Sequence, residues 1–195
     1  YSVLIYHDPD NYKINFYQGL VLVKSGDEDS ARRYLRKCEK KAGNDVQLLY
    51  SLARTYLYMQ DTASSQRIYE MIAKNDKDSI EVIFDLGLLT MLSDEPAAKS
   101  YMRNYSKSIE GTGSKVNWSK DANNVVKLLD SKSKGKDDMR MYMDFVRKFH
   151  AGNYYDMELI MLLKALQRFP ESFELNYDLK LIYNSLTWLG MDWDE

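Results

Sequence analysis

Three small residues, Gly19, Ala53 and Gly87, stand 34 residues apart, each inside an apolar pattern of helical spacing. A self-similarity of that period marks a helix-turn-helix unit that is repeated and stacked, because one unit cannot bury its apolar face alone and its neighbour completes the core. Stacks of this kind usually bind other proteins rather than catalyse reactions, so the period constrains fold and activity class together.

The offsets that follow each small residue test the period. After Gly19 come Leu22, a Gly26-Asp27 turn, then Ala31, Leu35 and Cys38 at helical spacing. The same distances after Ala53 give Tyr56, Gln60-Asp61, Ser65, Tyr69 and Ile72. In the third unit Leu86-Gly87 replaces Leu52-Ala53, and its second helix fits with one residue removed, giving Ala98, Met102 and Tyr105. A slip of one residue falls in a turn, where it is tolerated.

A fourth unit follows an interruption. Tyr142, Phe145, Val146 and Phe149 form an apolar stripe, then comes an Ala151-Gly152-Asn153 turn and a second amphipathic helix that holds Ala165, ahead of Pro170. From Gly87 to Val146 is 59 residues, one period plus an insertion of 25. The insertion falls on 111–136, rich in Gly, Ser and Lys and therefore loop-like. Inside it Trp118, Ala122, Val125, Val126 and Leu129 predict one short amphipathic helix. A last helical run, Phe173 to Leu189, follows Pro170 and is expected to cap the final unit.

Through these small and large positions, and through the stretch from Tyr56 to Asp78, the chain resembles the tetratricopeptide repeat family, over Tyr12 to Glu110 above all. It departs from the family where Asn15 takes the place of a bulky residue four before Gly19, and in lacking a proline after the first three units. Gly43-Asn44 and Asn75-Asp76 are expected to stop the helices there, since these residues tolerate a left-handed backbone. The resemblance implies an all-α, right-handed α-solenoid of about four helix-turn-helix units with a helical insertion and a C-terminal capping helix. The organisation expected is an arm at 1–11, three repeats at 12–110, the insertion at 111–136, and a fourth repeat with its cap at 137–195, all one continuous domain.

In such a solenoid the first helix of each unit lines the concave surface, and the positions around its small residue point into the groove. Here they are Phe16, Leu20 and Val23 in the first unit, Tyr50, Arg54, Leu57 and Tyr58 in the second, and Phe84, Leu88 and Met91 in the third. A groove of this character accepts an apolar helix or extended segment of a partner, with Arg54 as the lone cation inside it. Some family members clamp a partner's C-terminal carboxylates with Lys and Asn at these positions. Phe16, Leu20 and Ser51 occupy those sites here, which disfavours chaperone C-terminal tails and leaves a closer resemblance to repeats that take hydrophobic segments, such as secretion-type chaperones or assembly scaffolds.

The same stripe can also be core. From Ile80 to Leu92 the third first-helix is apolar nearly all round, and such a helix is normally covered on every side. The inserted helix, the C-terminal cap, the Tyr1–Tyr6 arm and a separate partner are the candidates for covering it. This leaves two expectations open: an interaction module with an open groove, or a regulatory or structural domain of a larger protein whose groove is filled internally.

Composition excludes other classes. The chain has 195 residues, 45% of them hydrophobic, and a net charge of −2 with a pI near 5.8, so it can bury a core and carries no nucleic-acid footprint. Lysines 115, 120, 127, 132, 134 and 136 gather near Trp118, a combination that single-strand binders use, but Asp121, Asp130, Asp137 and Asp138 offset them and a solvated surface is the simpler account. Cys38 is the only cysteine, so no intrachain disulfide forms, and it falls where the repeat needs a small buried residue. No apolar run reaches the length of a membrane span and no signal peptide is visible, so a soluble chain is expected, with the cytoplasm favoured. A sequence opening on Tyr1 leaves room for a signal or further repeats ahead of it.

Catalytic and metal chemistry find no support. His7 and His150 lie far apart, and neither has a helical His or Cys neighbour to form a metal pair. His7-Asp8-Pro9-Asp10-Asn11 is oxygen-rich but lacks the Gly and distal Glu of a calcium loop, so a turn or helix N-cap explains it better. Gly111-Thr-Gly-Ser-Lys115 resembles a phosphate loop in composition, although the order differs and a helix precedes it. Asn104-Tyr-Ser106 and Asn117-Trp-Ser119 match glycosylation acceptors, relevant only in a eukaryotic secretory setting. Trp188, Met191 and Trp193 either dock another chain or pack the cap. No enzyme and no cofactor is expected, and the expected partner is a protein or peptide segment.

Overall fold

The computed structural model describes residues 8–75, 80–110, 117–131 and 135–185. Among these residues the chain is all-helical, with ten helices: α1 Tyr12–Ser25, α2 Glu28–Ala42, α3 Val46–Tyr58, α4 Thr62–Asn75, α5 Glu81–Thr90, α6 Glu95–Ile109, α7 Ser119–Asp130, α8 Lys136–Ala151, α9 Tyr155–Arg168 and α10 Phe173–Asn184. The Tyr1–Tyr6 arm, the Gly111–Lys115 motif and the segment with Trp188, Met191 and Trp193 lie outside the described residues.

The period written in the small residues reappears in the helix caps. Each α-helix starts with backbone N–H groups that have no partner inside it, and an Asp or Asn carboxylate or amide oxygen one position ahead accepts from them. Asn11 caps α1, accepting from the N–H groups of Lys13 and Ile14 at 3.1 and 3.2 Å. Asp45, 34 residues on, caps α3 from Leu48 at 3.1 Å. The second helices follow suit: Asp27 accepts from Ser30 at 3.1 Å, Asp61 from Ser64 at 3.1 Å, and Asp94 from Ala97 at 2.9 Å.

The turns explain the missing residue of the third unit. Gly26 and Gln60 precede Asp27 and Asp61, and both take the left-handed backbone, at φ 80° and 57°. Between Thr90 and Asp94 the chain instead tightens through successive three-residue hydrogen bonds, from Met91 to Leu88, Leu92 to Leu89 and Ser93 to Thr90, before Asp94 caps α6. The residue removed is thus the left-handed one. Gly43, also at positive φ (56°), stops α2 where Gly43-Asn44 is expected to.

The chain divides into two compact units, Tyr1–Asp76 and Lys77–Glu195. In the first, α1 packs on α2, α2 on α3 and α3 on α4. Gly19 lets α2 approach so closely that Leu35 Cδ2 would lie 2.6 Å from a Cβ added there. Leu35, Cys38, Leu49, Leu52, Ala53, Tyr56, Ile68, Tyr69 and Ile72 complete a core without solvent access. Ion pairs of Arg32 with Asp61 and of Arg67 with Glu39 tie α2 to α4 and its cap. Asn15 is a buried polar link: its amide donates to the carbonyls of Pro9 and Asn11 at 3.0 and 2.7 Å and holds the entry turn on α1. Asn176 repeats the device on α10, donating to Pro170 and Ser172 at 3.1 and 2.8 Å.

In the second unit α5 packs on α6 and α9, α7 on α6, and α8 and α10 on α9. The Gly87 position repeats the Gly19 arrangement, with Met102 of α6 as its neighbour. The sequence groups α5 and α6 with the first two pairs, whereas the compact unit groups them with the insertion and the final pair. The direct packing of α9 on α5, with α7 on α6, is the physical reason.

Candidate functional site

The stripe assigned to a concave groove is largely core. Phe16, Leu20, Val23, Leu57, Phe84, Leu88 and Met91 are buried, while Tyr50, Arg54 and Tyr58 are half-buried on α3. Tyr50 rests edge-on against Tyr69, ring centroids 5.8 Å apart. Burial pushes the Tyr58 hydroxyl above its ordinary range, with Glu28 adding to the effect.

The insertion covers α5 at Phe84, while α6 and α9 pack on the rest of that apolar helix. The Trp118 ring stacks on Phe84 at 5.7 Å and 13°, and meets Phe149 and Tyr154 edge-on at 5.7 and 5.1 Å. Its backbone N–H donates to the Tyr105 hydroxyl at 3.0 Å, and the Lys148 ammonium sits 4.8 Å from the ring centroid while pairing with Asp121 at 2.6 Å. A ring in that cluster is not free to stack on a nucleic-acid base. Lys120, Lys127 and Lys136 are exposed, as a solvated face requires, and the other three lysines of that group lie outside the described residues. At the far end of α7, the Arg168 guanidinium of α9 donates to the carbonyls of Leu128 and Ser131 at 3.1 and 2.8 Å.

The described surface opens instead at the end of the second unit. α8 and α10 both pack on α9, and between them lies a trough of about 570 Å³ lined by Met143, Val146, Arg147 and His150 from α8, Tyr155 and Glu158 from α9, and Glu174, Asp178, Leu181 and Ile182 from α10. Leu175 and Ile182 are the buried side of α10, but Phe173, Tyr177 and Leu181 recur every four residues on another side, 83%, 53% and 50% exposed. α10 thus carries a second apolar stripe, with Phe173 and Tyr177 stacked at 6.2 Å.

Charge is concentrated in the same trough. The Glu158 carboxylate, 6% exposed, meets the His150 ring at 3.1 Å, while that ring is 68% exposed. Burial pushes the Glu158 carboxyl above its usual range; the hydrogen bond and charge of His150 oppose this, and Asp178 adds to it. Asp178 is raised as well, by burial first and then by Glu174, against the pull of Arg147 and His150. Arg147 bridges to Glu174 at 3.5 Å. Among the described residues, the Asp178 carboxylate makes no hydrogen bond or ion pair.

No protein-family model matches the chain, and no curated protein does. Function therefore rests on geometry. Among the described residues no group of three or more His, Cys, Asp or Glu is placed to hold a metal ion, and no helix is long and apolar enough to cross a membrane. Asp8 and Asn11 form the turn that caps α1, and the His150 ring contacts Glu158. The trough itself was missed in the sequence because its residues come from three helices with no shared motif. A signal did exist: Phe173, Tyr177 and Leu181 lie off the helical register of Leu175 and Ile182, so α10 carries two apolar stripes.

Proposed function

We propose that this chain is a helical-repeat interaction module, a tetratricopeptide-like α-solenoid that binds an apolar helical or extended segment of a partner protein and catalyses nothing. The observation that carries this is the outward stripe of Phe173, Tyr177 and Leu181 beside the α8–α10 trough. Exposed apolar side chains aligned on one helix next to a concavity are what an amphipathic segment packs against, its anchors filling the cavity and polar groups at the rim setting direction. The half-buried Tyr50, Arg54 and Tyr58 are the remaining accessible part of the concave surface expected from the sequence.

A second reading, a regulatory or structural domain with an internally filled groove, is favoured at one place. There Trp118 seals Phe84.

Selection of a random peptide library on the purified chain tests the proposal. Enriched apolar peptides whose binding is lost in Leu181→Glu and kept in Tyr50→Ala would support the trough as the working surface. The reverse pattern would move the site to α3. Enrichment no better than on an unrelated helical protein would sink the interaction reading.

A further inference from the structure

We infer that the α8–α10 trough selects a partner segment bearing a lysine or arginine beside its apolar anchors, with the Asp178 carboxylate as the acceptor for that cation. This rests on the interaction reading above and adds the partner's charge.

The titratable and charged groups facing the trough are Arg147 and His150 on α8, Tyr155 and Glu158 on α9, and Glu174 and Asp178 on α10. Three of them are carboxylates and one is a guanidinium. The guanidinium is engaged with Glu174 at 3.5 Å, and the Glu158 carboxylate is engaged with the His150 ring at 3.1 Å. Asp178 is left half-buried with no pairing among the described residues, flanked by Glu174 four residues before it on the same helix. Partial burial and then the like charge of Glu174 penalise its ionised form against the pull of Arg147 and His150, and an incoming ammonium or guanidinium relieves both penalties at once. An acidic segment meets the opposite: it adds a negative charge to a cavity where three carboxylates already outnumber one guanidinium. The apolar wall matters equally. Leu181, half exposed, stands one turn along α10 from Asp178, so a cation bound there places its neighbours against it. A long basic side chain suits such a place because its methylene stem lies on apolar surface while its head reaches the carboxylate.

Three short labelled helical peptides, identical except for Arg, Gln or Glu beside a Leu/Phe stripe, would be titrated against the full chain by fluorescence anisotropy. The Arg peptide should bind roughly three- to tenfold more tightly than the Gln peptide, and the Glu peptide more weakly than either. The Arg advantage should shrink with added salt, disappear in Asp178→Asn and persist in Asp178→Glu, with all variants shown folded by circular dichroism. Equal affinities for the three peptides, or the same preference in Asp178→Asn, would overturn the charge inference and leave the interaction reading standing. Failure of all three while library ligands still bind through Leu181 would overturn it too. Markedly tighter binding to a chain ending at Ser185 would identify residues 186–195 as the occupant, and self-association abolished by Leu181→Glu would identify a second copy; either result overturns the proposal. If neither these peptides nor any library peptide binds, the interaction reading fails with it.

Discussion

At the scale of single residues, the small positions of the repeat do not perform equal work. A Cβ at Gly19 would lie 2.6 Å from Leu35 Cδ2 and 2.9 Å from its Cγ, inside a sealed core. At Gly87 the nearest atom is the terminal methyl of Met102 at 2.8 Å, with Tyr101 Cβ at 3.2 Å. Alanine gains about 1 kcal/mol of helix propensity over glycine, while overpacking costs about 1–3 kcal/mol. Gly19→Ala should therefore lower the melting temperature, and Gly87→Ala, whose neighbour can swing away, should leave it nearly unchanged. Thermal unfolding of the two variants side by side checks the order. Cys38 offers a second test. Burial pushes its thiol up to about 12, with Asp45 adding to the effect, so at mildly alkaline pH it stays protonated as well as enclosed. A disulfide reagent should leave the folded chain unmodified and titrate the thiol once denaturant is added; prompt reaction of the folded chain would show that α2 opens readily.

At the scale of elements, the insertion is a structural part of the second unit. Trp118 anchors the start of α7 against α5 and α8, and Arg168 holds its other end. Trp118→Ala should cost about 3–5 kcal/mol, the usual range for truncating a buried aromatic ring. Phe173→Ala on the exposed stripe should stay within about 0.5 kcal/mol. Urea unfolding of both variants measures the contrast, and equal effects would mean that Trp118 is not the seal. Local elements were well legible in the sequence: the inserted helix was expected over Trp118–Leu129 and spans Ser119–Asp130, and the last helix begins at Phe173 as expected. The burial of Phe84, Leu88 and Met91 was left open between core and groove, because periodicity shows which residues need a neighbour but not which of several distant candidates supplies it. Trp118 is 34 positions beyond Phe84 and belongs to a stretch whose composition reads as loop. The trough escaped for a related reason: Glu158 and Asp178 become a site only once α8 and α10 settle on α9.

At the scale of the molecule, the division into Tyr1–Asp76 and Lys77–Glu195 gives each unit its own enclosed core. A unit with a core of its own is expected to fold alone. Residues 1–76 expressed separately should give a helical circular dichroism spectrum and a single cooperative thermal transition, whereas a coil spectrum would show that the core of α1–α4 depends on the rest of the chain. The division also hands the experimenter two independent signals. Every tryptophan of the chain falls in the second unit and its only cysteine in the first. Indole emission excited at the red edge of its band therefore reports the second unit, and thiol modification reports the first. Followed in one sample without any label, the two will show whether the units melt together or in turn.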